Sequence, residues 1–270
     1  MADRRTHHIT YASFKFTVSA WVLAHSARQY GLTTQIYGPS GEVARGLARQ
    51  YPEIMRNPRG VGYWLWKPYI IRDAMAKAAD GDAVLYTDSA VVFAADPAPL
   101  FAVTRDHPIV LFEQRGRLLE RVWTKRDCFV LLDADTPEFW DTPQLAATCQ
   151  LYRVGPEARA FIDELCRAMS NVNVLSDLPN VCGLPNLPEY REHRHDQSVL
   201  TILATRHRLP RFRDPSQFGT PTTQEASGAP ADGILRPATT YGEIIRHHRK
   251  GSGKVLPWYW RFRREAAAQR

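Results

Sequence analysis

"GYWLWKPYIIRDAMAKAADGDAVLYTDSAVVF", Gly62 to Phe93, decides the fold. Its first part, "GYWLWKPYIIRDAMAKAADGD", carries apolar residues at helical spacing and ends in Asp80, Gly81 and Asp82, which predicts one long helix closed by turn residues. "AVLYTDSAVVF" follows as an apolar run interrupted by Thr87, Asp88 and Ser89, which predicts a buried strand running into a polar break. Upstream, "HHITYAS" is rich in strand-forming residues, and "FTVSAWVLAHSARQYG" has helical spacing ending at Gly31. "TTQIYG" reads as a short strand and "GEVARGLARQY" as a helix. This alternation predicts an α/β fold with a mostly parallel sheet flanked by helices, whose ligands gather at the carboxyl ends of the strands. Thr10 to Ser13 and Tyr86 to Ala90 lie at such ends.

Downstream the pattern is less regular. "PEARAFIDELCRAMS" and "HDQSVLTILATRHR" read as helices, the second opening with Asp196 near its positive end. From Gly219 to Pro237 the chain is rich in Gly, Pro, Ser and Thr, as in a long loop. No internal repeat is present. We expect a single domain over residues 1–257, with a donor-binding half over about 1–115 and an irregular acceptor half over about 116–257. A basic aromatic tail over 258–270 would follow.

The 270 residues are 44% hydrophobic and 23% charged, enough apolar material for a real core and against global disorder. A net charge of +7 favours acidic partners such as phosphorylated small molecules, anionic lipid or nucleic acid. The cysteines Cys128, Cys149, Cys166 and Cys182 stand singly, as expected for free thiols in a reducing compartment. The first residues lack a secretory apolar stretch and no apolar run is long enough to span a membrane, so the expected location is the cytoplasm.

Two places fit a divalent cation, whose hard charge calls for oxygen ligands. Asp88 ends the buried strand, but Ala90 occupies the place where an Asp-x-Asp motif would supply a second carboxylate; an ordinary turn aspartate is the alternative. Asp133 and Asp135 form a complete Asp-x-Asp in "FVLLDADTPEFW". Thr124 and Asp127, however, are spaced as a capping box, which would put that pair at a helix exit. Near the other end, "HHRKGSGK" holds His-x-x-Gly-x-x-Lys as His248, Gly251 and Lys254. Imidazole can ligate Mn²⁺, glycine lets backbone N–H groups approach phosphate, and lysine adds a point charge. A solvated basic end is the competing reading.

His248, Gly251 and Lys254, followed by "VLPW", resemble the C-terminal signature of glycosyltransferase family 8, retaining enzymes of the Rossmann-like GT-A fold. The two residues before Pro257 depart from that signature. "GYWLWKPYIIRDAM", "GDAVLYTDSA" and "HRHDQS" resemble related bacterial glycosyltransferase-like proteins. The resemblance implies a sugar transferred from a nucleoside diphosphate donor, UDP-linked, to a polysaccharide or lipid-linked acceptor, with Mn²⁺ or Mg²⁺. It implies that Thr10 and Tyr11 hold the base, Lys67 reaches the phosphates or ribose, and Asp88 and His248 bind metal. Gly251 and Lys254 would hold the diphosphate, and Asp196 and Gln197 would face the donor sugar as the catalytic pair. Acceptor-side candidates are Lys125, Arg126, Asp127 and Gln144, for which capping and surface charge are the plain alternative.

Tyr63, Trp64 and Trp66 serve either as core or as a sugar platform. In "WYWRFRREAAAQR", aromatic and basic residues interleave as they would against an anionic membrane surface, or the aromatics fold onto the body. Two other classes stay open: a basic nucleic-acid-binding protein, which would show steep salt dependence, and a GT-A-shaped nucleotide binder without catalysis.

Overall fold

The computed structural model describes residues 5–114, 116, 118–219, 233–248 and 252–268. Strand β1 (Thr6–Tyr11) leads into helix α1 (Thr17–Arg28), then β2 (Thr34–Tyr37), α2 (Glu42–Gln50), α3 (Trp66–Lys77) and β3 (Ala83–Thr87). The later elements are β4 (Val91–Phe93), β5 (Ile109–Glu113), β6 (Leu145–Arg153), α4 (Pro156–Met169), α5 (His195–Arg206), β7 (Arg211–Phe212), β8 (Ile245–His247) and α6 (Ser252–Ala268). Six strands form one sheet in the order β2-β1-β3-β6-β5-β7, with β6 antiparallel to both neighbours and the other pairings parallel. The fold is thus a single α/β domain with a mostly parallel sheet, as the alternation predicts.

Strand β3 is buried throughout and apolar from Ala83 to Tyr86 because both its faces are covered. Val84 and Tyr86 point into a core shared with α3, α4 and α5, while Ala83 and Leu85 point into a second core with α1 and β4. Asp88 leaves the strand where that apolar run stops, and its N–H donates to Thr148 O at 2.8 Å.

The helix expected from Gly62 begins instead at Trp66. Gly60, Val61, Gly62, Tyr63 and Trp64 all have positive φ, between 51° and 87°, so five consecutive residues form a left-handed turn. An L residue in that region costs roughly 1–2 kcal/mol. The two glycines are required for space as well: a Cβ at Gly60 would lie 2.4 Å from the Trp64 ring, and one at Gly62 would lie 2.7 Å from Met55 Sδ. Hydrogen bonds offset the strain. Trp66 Nε1 donates to Gly60 O at 2.8 Å, Gly62 N to Asn57 O at 2.8 Å, and Asn57 Nδ2 to the Tyr63 hydroxyl at 2.7 Å.

The expected capping box does not form. The helix there is only Arg126–Val130, and the Asp127 carboxylate instead accepts from Val181 N and Cys182 N. The Thr124 hydroxyl turns to Glu120 and Ser198. Asp133 follows that helix at φ 50°, and Asp135 takes hydrogen bonds from Arg126 Nη2 and Trp140 Nε1, so the complete Asp-x-Asp lies at a helix exit away from β3.

A second, two-stranded sheet pairs β4 with β8 antiparallel, matching Val91 with His247. Helix α6 continues across the boundary expected at 257/258, with Pro257 inside it. Val255 and Tyr259 are buried against Val22 and Val92, and Gln29 Nε2 donates to the Tyr259 hydroxyl at 3.0 Å. Among the described residues, all four cysteines are free, and no helix is long and apolar enough to cross a membrane.

Candidate active site

At the carboxyl ends of β1 and β3, one buried cation organises the site. Lys67, on the first turn of α3, is 3% exposed; its ammonium donates to Ala147 O at 3.0 Å and to the Asp196 carboxylate, and lies 3.7 Å from Asp88 Oδ1. Burial works against the charge on Lys67, but the facing carboxylates of Asp196 and Asp88 outweigh it, so the lysine stays protonated. Asp88 also accepts from the Tyr86 hydroxyl at 2.5 Å and keeps a third of its side chain exposed.

Tyr11 stacks on Trp66 with ring centroids 3.9 Å apart and planes 13° from parallel. Burial raises its pKa to about 12, and among the described residues its hydroxyl has no hydrogen-bond partner. A buried polar atom left so is costly unless a ligand meets it. Thr10 is fully buried, and its hydroxyl donates to Thr87 O at 2.8 Å, which ties β1 to β3 directly beneath the site.

Asp196 comes from the first turn of α5, where the helix dipole favours a carboxylate. His195, just before it, has φ 46° and packs its ring on Tyr63 at 4.7 Å and Trp64 at 5.7 Å. Its Nδ1–H donates to Leu175 O at 2.8 Å. The left-handed turn and the left-handed residue His195 therefore meet through their rings, each just ahead in sequence of a member of the Lys67–Asp196 pair. Gln197 is half-buried, and its Nε2 donates to Gln144 Oε1 at 3.0 Å.

The tail reaches this end of the sheet. His248 N donates to Ala90 O at 2.9 Å, two residues beyond Asp88, and the His248 ring lies 4.9 Å from that of Trp258. Lys254 is exposed on the first turn of α6. Gly251 lies outside the described residues.

The acceptor-side candidates have other partners. Lys125 is buried, donates to Leu178 O at 2.6 Å and lies 3.3 Å from Asp127; together they hold the segment 176–182. Arg126 pairs with Asp135, and Gln144 is fully buried beside Gln197. Sequence reasoning missed Tyr86, although two residues apart in a strand share a face, which puts Tyr86 beside Asp88.

As a metal centre the donor set is incomplete by itself. Among the described residues no group of three or more His, Cys, Asp or Glu side chains converges. Asp88 and His248 offer a carboxylate and an imidazole, the chemistry Mn²⁺ accepts, against the roughly six ligands such an ion takes. Two protein ligands fall short of that number, so the described residues do not by themselves complete a metal site.

No protein-family model and no curated protein matches the chain. Solved structures do. The galactosyltransferase LgtC, described in complex with donor and acceptor sugar analogs, aligns over 97% of this chain and 95% of its own at 14% identity and a TM-score of 0.50. An active-site mutant of LgtC aligns over 96% and 95% at 14% identity and a TM-score of 0.51. Mouse xyloside xylosyltransferase 1 aligns over 91% and 98% at 12% identity and a TM-score of 0.46. The sheet order, the helices on both its faces and the end-to-end alignment with LgtC identify the fold of this chain as GT-A.

Proposed function

We propose that this protein transfers a glycosyl group from a UDP-sugar to a hydroxyl of a glycan or lipid-linked acceptor. The observation that carries the proposal is convergence. Lys67, Asp88 and Asp196, from three separate elements, meet at the carboxyl end of the sheet beside the Tyr11–Trp66 stack, and β8 returns His248 to hydrogen-bond Ala90, two residues beyond Asp88.

In the reaction the bond from the anomeric carbon to the diphosphate oxygen breaks, its electron pair leaves with UDP, and the acceptor hydroxyl oxygen bonds to that carbon while its O–H bond breaks and the proton passes to the departing diphosphate. Negative charge grows on the diphosphate and positive charge on the sugar ring. One ammonium facing two carboxylates leaves the group around Lys67 net negative. The leaving diphosphate therefore needs further positive charge, from Lys254 and from a divalent ion that Asp88 and the neutral imidazole of His248 would hold. That ion would neutralise the leaving group. Tyr11, stacked on Trp66, presents its unmatched hydroxyl to the base. Asp196 and Gln197 lie against the donor sugar, where a buried carboxylate and an amide oxygen stabilise the developing cation. The donor sugar keeps its anomeric configuration in this reading.

The test is thermal stability with UDP and UDP-hexoses, with and without Mn²⁺. UDP with Mn²⁺ should raise Tm most, and His248→Ala should remove the metal-dependent part. No shift with any uridine nucleotide would refute the reading.

Exposed residues on α6 and α1 support contact with an anionic membrane surface. Trp260 and Leu256 are about half exposed, and Trp21 on α1 is 65% exposed, alongside the exposed Arg261 and Arg264. Sedimentation with phosphatidylglycerol vesicles, compared with phosphatidylcholine, tests this, and Trp260→Ala should weaken it.

A further inference from the structure

Behind Gln197 lies a chain of buried side chains that the proposed reaction does not use. Gln197 Nε2 donates to Gln144 Oε1 at 3.0 Å, and Gln144 Nε2 lies 3.4 Å from Ser198 Oγ. Ser198 Oγ lies 3.0 Å from Trp123 O and 2.7 Å from Thr124 Oγ1. Thr124 Oγ1 in turn contacts the carboxyl of Glu120. Glu120, Thr124, Gln144 and Ser198 are all fully buried.

Counting hydrogens decides the state of the carboxyl. A carbonyl only accepts, so the contacts Ser198–Trp123, Thr124–Ser198 and Glu120–Thr124 need a hydrogen each, three in all, whereas two hydroxyls carry two. Were Glu120 ionised, it too could only accept, and one contact would set lone pair against lone pair. A carboxylic acid supplies the missing hydrogen and gives the chain one direction, from Glu120 through Thr124 and Ser198 to the carbonyl of Trp123.

We propose that Glu120 is a positioning residue, present as a neutral carboxylic acid, whose proton orders Thr124 and Ser198 and thereby fixes Gln144 and the amide of Gln197. Burial, the largest influence, raises its pKa to about 8 against Thr124, Gln144, Thr201 and Arg211, which favour the anion. The ionisable groups that face it are Arg211 from β7, Cys128 from the helix Arg126–Val130 and Arg194 before α5. Loss of the proton turns the Thr124 hydroxyl toward Glu120. Ser198 must then donate to Thr124 and release Trp123, and the support under Gln144 changes.

The catalytic consequence rests on the reading of Gln197 as a donor-sugar residue, so the test has two arms, both on the full chain. In the first, the side-chain amide NMR signals of Gln144 and Gln197 are followed from pH 6 to 10, and urea stability is followed over the acid range. The stability that Glu120 lends is complete below its ordinary value of 4.5 and gone above about 8. Wild type should show amide shifts with a midpoint of about 8, and its stability relative to Glu120→Gln should decline between those values. Glu120→Gln, which still donates to Thr124 but does not titrate, should show no amide shift with that midpoint. Equal titration in both proteins overturns the proposal.

In the second arm, UDP release from UDP-glucose and UDP-galactose is measured against pH. Wild-type turnover should fall up to about tenfold per unit above the midpoint, and Glu120→Gln should lose that limb. Thr124→Val should lower kcat while leaving donor KM within about twofold. If neither donor is turned over, the functional reading fails, while the first arm still decides Glu120.

Discussion

The indole of Trp66 lies flat on the ring of Tyr11, centroids 3.9 Å apart, so the residue that ends β1 and the residue that begins α3 form one wall. Trp66 also closes the left-handed turn through Gly60 O. Trp66→Ala should therefore cost about 3–5 kcal/mol in urea unfolding. Tyr11→Phe keeps the stack and should change stability by less than about 1 kcal/mol. Loss of the hydroxyl should reduce the Tm shift given by UDP; an unchanged shift would remove Tyr11 from the nucleotide site.

Gly62→Ala meets two obstacles at once: φ of 87° and a Cβ 2.7 Å from Met55 Sδ. It should destabilise by more than about 2 kcal/mol, read as a fall in Tm. Gly46, where a Cβ would meet nothing within 4 Å, is the control in a helix, and Gly46→Ala should raise Tm slightly. Equal effects at the two sites would show that the left-handed turn is not strained.

Lys67→Met leaves Asp196 buried without its cation. Breaking a buried pair from one side costs about 3–5 kcal/mol, and donor turnover should be lost. Asp196 should then take up a proton as pH falls, so acid restores part of the lost stability. A stability deficit independent of pH would show that Asp196 does not depend on Lys67.

His8 bridges β2 and β3, with Nδ1 2.8 Å from Thr34 Oγ1 and Nε2 3.0 Å from Thr87 Oγ1. Burial lowers its pKa from 6.5 to about 3. The unfolded chain therefore binds the proton first. The stability this histidine lends is present above 6.5 and lost as pH falls toward 3, by about 1.4 kcal/mol per unit. His8→Gln should flatten the acid limb of stability against pH, measured by urea titration. An unchanged slope would assign acid unfolding to other groups.

The elements best read from sequence are those whose local pattern is also their tertiary role. "AVLY" is apolar because both faces of the sheet are covered there, and α4 carries an apolar stripe that matches the core it meets. Strand β6, "LAATCQLYR", was not legible: its placement between β3 and β5 is set by distant partners, and its polar Gln150 is satisfied internally by Tyr152 and Ala147. In the site, Asp88, Lys67, Asp196 and Gln197 stand out in short motifs. The left-handed turn does not, because helical spacing in "GYWLW" gives no sign of handedness. Thr124 reads as a cap residue, and Glu120 carries no signal at all, because nothing local shows that α5 covers them.

The pairing of Val91 with His247 joins positions 156 residues apart in the chain. Contacts of such separation form late, since a long loop must close before the pairing repays it. In chain order all six strands of the main sheet precede β8 and His248. A chain interrupted between β7 and β8 would lack the histidine beside Ala90 and also Ile244, Ile245 and Tyr259, which are buried in the cores.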